Sequence, residues 1–190
     1  MFSAFLSQRR RRRAAEDLYV SAVSRARAPF FFECCGVPDT VDGRFDMIAL
    51  YVFLLIHRVR AEKTQESSAF AQEIFDAMFR DMDRNLREMG VGDLSVGKHI
   101  KGMAKAYYGR VAAYEPPVES GDIQALEAAL LRNLYRSAPA PGPAAEQVRS
   151  MAVCVLQIVE HMTKQSFQDV VGNRLAWWTP STDERARIDA

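Results

Sequence analysis

From Met47 to Ile56 every residue is apolar or aromatic, so no polar face can be drawn on a helical wheel through that run. A helix hydrophobic on all sides is enclosed by protein or by lipid. Ten residues fall well short of the roughly 18–20 needed to cross a bilayer, so the run predicts a central helix over residues 43–60 packed within other helices. A strand competes for so short a run, but no turn signal comes before Gln65, and Arg58 and Arg60 give the segment a cationic finish that suits a helix C-terminus.

The flanking segments carry helical periodicity. Residues 13–28 place Leu18, Ala22 and Ala26 on one face, and Pro29 ends that helix. Phe30 to Cys35 reads as a short apolar turn, and Asp39 or Thr40 can cap the central helix. Residues 67–89 repeat apolar positions at Phe70, Ile74, Met78, Met82 and Met89, with Gly90 as the C-terminal cap. Asp93 or Ser95 can cap a helix over 96–113, which Pro116 and Pro117 stop. A helix starting at Asp122 turns Ile123, Leu126, Leu130 and Leu134 inward; residues 137–143, with three prolines, form a stiff linker. A last long helix over 144–164 is followed by a short turn with Phe167 and Val171. The expected fold is all-α, a single helical domain of about six to eight helices around the 43–60 helix. It spans residues 14–178, between a basic flexible tail (1–13) and a polar C-terminal tail (179–190).

Charge alters this picture in one place. The formal net charge of +1 hides an asymmetry: residues 1–28 hold seven arginines against Glu16 and Asp17, a net +5, which leaves −4 for the rest. Phe2 and Phe5 ahead of Arg9, Arg10, Arg11, Arg12 and Arg13 suit attachment to an anionic membrane surface; RNA attracts the same charge, and a solvated tail is the alternative. The segment does not read as a signal peptide, because its apolar start is too short and the arginines follow it. Cys34, Cys35 and Cys154 make no disulfide framework and fit a reducing compartment. A cytoplasmic protein peripheral to the inner membrane is expected.

Candidate chemistry is sparse. His57, His99 and His161 have no second ligand at metal spacing on their own helical face, and no phosphate-binding loop follows a strand, so no catalytic residue, cofactor or metal is expected. The informative stretch is 79–115. Acidic and basic residues alternate around Asp83 and Arg87, after which the next helix carries only cations, with Lys98, Lys101 and Lys105 along one edge and Arg110 beyond. Gly97, Gly102 and Gly109 interrupt that helix at about 1 kcal/mol each relative to alanine. Such a cost is tolerated where another backbone approaches or where a groove is left open. Internal salt bridging and tight packing are the plain alternative.

The stretch Phe-x-Asp-Met-Asp-x-x-Leu-Arg-Glu-Met-Gly-Val-Gly-Asp-x-x-Val-Gly-Lys-x-Ile-Lys, from Phe79 to Lys101, resembles the signature of the ubiquinol–cytochrome c chaperone family. The run Met103-Ala-x-Ala-Tyr-Tyr-Gly-Arg-x-x-x-Tyr114 and the later Ala129-Leu-Leu-Arg-Asn-Leu-Tyr135 are similar to it too. The resemblance covers about residues 35–136 and is nearest the bacterial branch. It implies an all-helical, non-enzymatic assembly factor whose mitochondrial members help newly made cytochrome b into the ubiquinol-oxidising complex near the ribosome exit. It brings no catalytic residues. On this reading the partner is cytochrome b or its assembly intermediate, with no DNA partner, and the binding edge is drawn from Phe79, Asp83, Arg87, Lys98, Lys101, Lys105, Tyr108 and Arg110. Two rival functions remain: a ribosome- or RNA-associated adaptor using the arginine run, and a haem-handling protein using His57, His99 or Cys34 in an open pocket.

Overall fold

The structure, a computed structural model, describes residues 8–180. Phe2 and Phe5 of the expected membrane anchor and most of the C-terminal tail lie outside the described residues. Eight helices and no strand occur among them: α1 (Gln8–Ala26), α2 (Pro29–Glu33), α3 (Val41–Arg60), α4 (Gln65–Glu88), α5 (Asp93–Ser120), α6 (Ile123–Asn133), α7 (Ala145–Thr163) and α8 (Phe167–Val171).

The apolar run is the centre of the fold. Thr40 caps α3, its hydroxyl oxygen accepting from the Gly43 N–H at 3.1 Å, and Met47 through Ile56 are all buried. Gly43 is there because the chain doubles back on itself: a Cβ at this position would sit 2.0 Å from the Pro38 carbonyl oxygen. Helices α1, α4, α5 and α7 pack on α3 and supply the apolar surface that encloses it. The fold is therefore all-α with a central apolar helix, as the hydrophobic pattern predicts. Among the described residues no helix is long and apolar enough to cross a membrane.

Several boundaries differ from the sequence expectation. Helix α1 begins at Gln8, so Arg9–Arg13 form its first turns instead of a flexible tail. Glu16 accounts for part of this, bonded by Arg12 one turn before it and by Arg80 of α4, each at 3.0 Å. Helix α5 starts at Asp93 with Gly92 as N-cap, and no side chain caps it; Asp93 instead accepts a bond from Arg87. The largest difference is at Pro116 and Pro117, which lie inside α5 and do not stop it. Each removes an N–H and crowds the preceding turn, but Tyr114, Pro117 and Val118 are buried in the core, and the Ser120 hydroxyl donates to the Pro116 carbonyl at 2.9 Å. Helix α5 ends only at Gly121, whose φ of +69° makes the left-handed turn. Asp122 then caps α6, accepting from the Ala125 N–H at 3.0 Å.

Candidate functional site

The end of α4, the first two-thirds of α5 and the start of α3 do not close on one another. They leave an apolar groove of about 970 Å³. Met82 and Leu86 of α4, with Met89 just past its end, form one wall, and Val41, Phe45 and Ile48 of α3 the other. The face of α5 turned to it carries Gly102, Met103, Ala106 and Gly109. A Cβ built on Gly102 or Gly109 would meet nothing within 4 Å, so these glycines are not forced by a neighbouring backbone; they keep the groove wide. Met89 is 70% exposed at the groove mouth, and Leu94, the second residue of α5, is fully exposed. A large apolar side chain left in water at the mouth of an apolar groove, as Met89 is, marks a surface suited to a partner.

Charge sits at the groove's base and rim. Asp46, 1% exposed, lies under it on α3. Arg110 of α5 donates to Asp46 Oδ1 at 2.5 Å, and Arg136 donates to Oδ2 at 2.9 Å. Burial pushes the Asp46 carboxyl above its usual range, while the two guanidiniums pull it down. Arg110 is itself only 6% exposed, and its Nε has no partner among the described residues. Arg27, Arg44 and Glu88 stand around the opening. The result is an apolar trough with a buried, partly unsatisfied cation beneath it and a mixed charged rim.

Residues 33–177 match the ubiquinol-cytochrome C chaperone family, which is more than half of the chain. The chain belongs to the ubiquinol–cytochrome c chaperone family. It is similar to the ubiquinol-cytochrome-c reductase complex assembly factor 1 of Xenopus laevis, 28% identical over 121 residues, which cover 64% of this chain and 60% of the relative. The Mus musculus and Homo sapiens proteins of that name are each 28% identical over 122 residues and 64% of this chain, but only 41% and 40% of their own lengths are covered. The chain thus spans between two-fifths and three-fifths of the curated relatives it matches. The crystal structure of the Cbp3 homolog from Brucella abortus shares the fold, with a TM-score of 0.77 and 33% identity, covering 90% of this chain and 92% of that one.

Within this chaperone fold the residues singled out from sequence separate into three groups. Lys98, Lys101 and Lys105 are exposed, form no ion pair among the described residues, and border the groove-facing glycines one turn away. They keep the character of a free basic edge. Arg110 does not belong to that edge, because the buried Asp46 carboxylate draws it inward. Asp83 and Arg87 bond each other at 2.7 Å, and Arg87 also reaches Asp93, so this pair ties the α4–α5 turn. Phe79 is half-buried and packs against Phe75, with ring centres 4.6 Å apart and planes tilted by 43°. Tyr108 is exposed but touches Phe75 from the side of α5 away from the groove.

The expected membrane-facing arginines are largely in water. Arg9, Arg10, Arg12 and Arg13 are exposed at the start of α1, and Arg11 lies 3.8 Å from Glu73. Among the haem candidates, His99 is exposed, and His57 borders a cavity of about 40 Å³, far smaller than a macrocycle. Cys34 is half-buried, and Cys35 and Cys154 are buried.

Sequence reasoning missed Asp46, Arg136 and the apolar α3 wall. The one available signal was an aspartate immediately before the ten-residue apolar run and beside Phe45, where burial calls for a cationic partner.

Proposed function

We propose that this chain is a non-enzymatic assembly chaperone for the ubiquinol–cytochrome c reductase complex, and that it receives an apolar segment of cytochrome b, or of its assembly intermediate, in the groove between α3, α4 and α5. The observation that carries this reading is the groove itself, lined by Met82, Met89 and Met103, with the unpartnered Nε of Arg110 at its base. Unbranched, polarizable methionine adapts to apolar partners of varied shape. A membrane-protein segment caught before insertion offers apolar side chains and, where its helix is incomplete, free carbonyls. The family and the relatives' names support the same complex as target.

Peripheral attachment to the inner membrane follows from the exposed cations at the start of α1, which suit an anionic leaflet at about 1 kcal/mol per arginine near the surface. Ribosome contact is an alternative use of the same charge.

The test is co-purification of cytochrome b from solubilised native membranes with tagged chain carrying Gly102→Leu and Ala106→Leu together. Both positions are exposed and on the groove face, so leucine fills the trough without entering the core. Cytochrome b recovery is expected to fall about tenfold or more while the melting temperature holds or rises. Unchanged recovery sinks the groove. Before solubilisation, the wild-type chain is expected in the membrane fraction and released by salt; ribosomal RNA in its place would favour the adaptor.

A further inference from the structure

On the opposite side of α5 from the groove, His57 from the last turn of α3 meets Glu115 and Glu119 of α5. One ligand atom from each lies within 4.8 Å of the others, yet no hydrogen bond or ion pair joins the three. The two glutamates are one turn apart, so their like charges repel along the helix. They also lie near the C-terminal end of α5, where the helix dipole disfavours anions, and no basic residue occupies the last turn of α5. Arg60 borders the same cavity as His57 and Glu115 but forms no ion pair with either glutamate. Arg60 is thus the one cation among the described residues lining this cavity, against two carboxylates that meet at His57.

A second observation points the same way. Tyr107 lines the cavity beside His57 and Glu115; it is 2% exposed, and its hydroxyl has no partner among the described residues. A buried hydroxyl left unbonded is costly. Burial holds the phenol above its ordinary range, so it keeps its proton and can donate or accept. The cavity, about 40 Å³, has room for a water but for little more.

We infer that His57, Glu115 and Glu119 bind one divalent first-row transition ion, with Zn2+ the best match, and that Tyr107 bonds the water completing its coordination. One imidazole nitrogen with two carboxylate oxygens is a borderline donor set that suits Zn2+ above Mg2+. A tetrahedral zinc site sets its ligand atoms about 3.3 Å apart, which side-chain rotation about the half-buried His57 and exposed Glu119 supplies. The ion joins the end of α3 to the last turns of α5. It adds a positive centre where His57 meets two carboxylates, at the edge of the cavity that Tyr107 lines.

Calorimetric titration of the full chain with ZnCl2, and separately with MgCl2, tests this, alongside Glu119→Gln and Glu115→Gln. Glu119 is exposed and unbonded, so its amide variant folds as the parent does. One Zn2+ per chain is expected, with an upward shift in melting temperature, visible Co2+ absorption on substitution, and affinity lowered about tenfold or more in each variant. Zn2+ binding of equal strength in Glu119→Gln would overturn the site, as would Mg2+ binding as tightly as Zn2+.

Discussion

The two ends of α5 solve opposite problems on one helix. From Gly102 to Gly109 the face turned towards α3 and α4 carries Gly102, Ala106 and Gly109 around Met103, a Cβ on either glycine would meet no neighbour, and the space is left as a groove. From Arg110 to Val118 the helix is committed to the core: Arg110 bonds Asp46, Tyr114, Pro117 and Val118 are buried, and even two consecutive prolines are held in helical conformation. Glycine is the expensive choice in the first part and proline in the second. A helix of 28 residues can carry both costs because its packed end anchors it, leaving the open end free to specialise. The two halves should therefore respond differently to substitution.

The largest effect is expected at the junction. Arg110→Ala removes one of two guanidiniums from a fully buried carboxylate and leaves Asp46 with Arg136 alone. Breaking a buried pair by removing one partner costs about 3 kcal/mol or more, which for a domain of this size lowers the melting temperature by roughly 6–12 °C. Thermal denaturation reads this directly. A variant as stable as the parent would mean that Arg110 belongs to the open half, as part of the basic edge that the lysines form.

How much of this was legible beforehand follows from the range of each interaction. The position of α3, its Thr40 cap, the Gly90 and Asp122 boundaries and the inward faces of α4, α6 and α7 depend on residues a few places apart, and periodicity and capping chemistry expose them. Pro116 and Pro117 misled because local propensity was outweighed by the burial of Tyr114, Pro117 and Val118, which only the packed helix shows. Arg110 looked like one more cation on a basic edge because its partner Asp46 is 64 positions away. The glycines of α5 signalled that something unusual happens there, but a groove is the shape left over by three helices and has no periodicity of its own. His57 with Glu115 and Glu119 was hidden for the same reason: the two glutamates share a face of α5, but the histidine comes from α3, 58 positions before the first of them.

The open half should respond in the other direction. Gly102→Ala and Gly109→Ala add a Cβ to positions that meet nothing within 4 Å, and alanine is favoured over glycine in a helix by about 1 kcal/mol. Each is expected to raise the melting temperature by about 2–4 °C. A gain here would show that stability has been given up to keep the groove open. Loss of stability in either variant, measured by the same denaturation, would mean that the glycines serve packing and that the comparison between the two halves fails.

The smallest effect belongs to the turn that joins the open half of α5 to α4. Arg87 bonds both Asp83 and Asp93 there, and all three side chains are in solvent. Solvent-exposed pairs add little to global stability, so Arg87→Ala should melt with the parent and differ only in faster amide exchange across residues 88–94. The pH dependence separates this tie from a general loosening. The Arg87 hydrogen bond holds the Asp83 carboxyl below its ordinary range, so whatever the pair contributes is complete above the unfolded value of about 4. That contribution disappears as the pH falls through the lower folded value. The exchange difference between Arg87→Ala and the parent should therefore be present at neutral pH and vanish on acidification. A difference that persists in acid would place the restraint in the apolar contacts of the turn, and Arg87 would then have no part in holding the groove mouth.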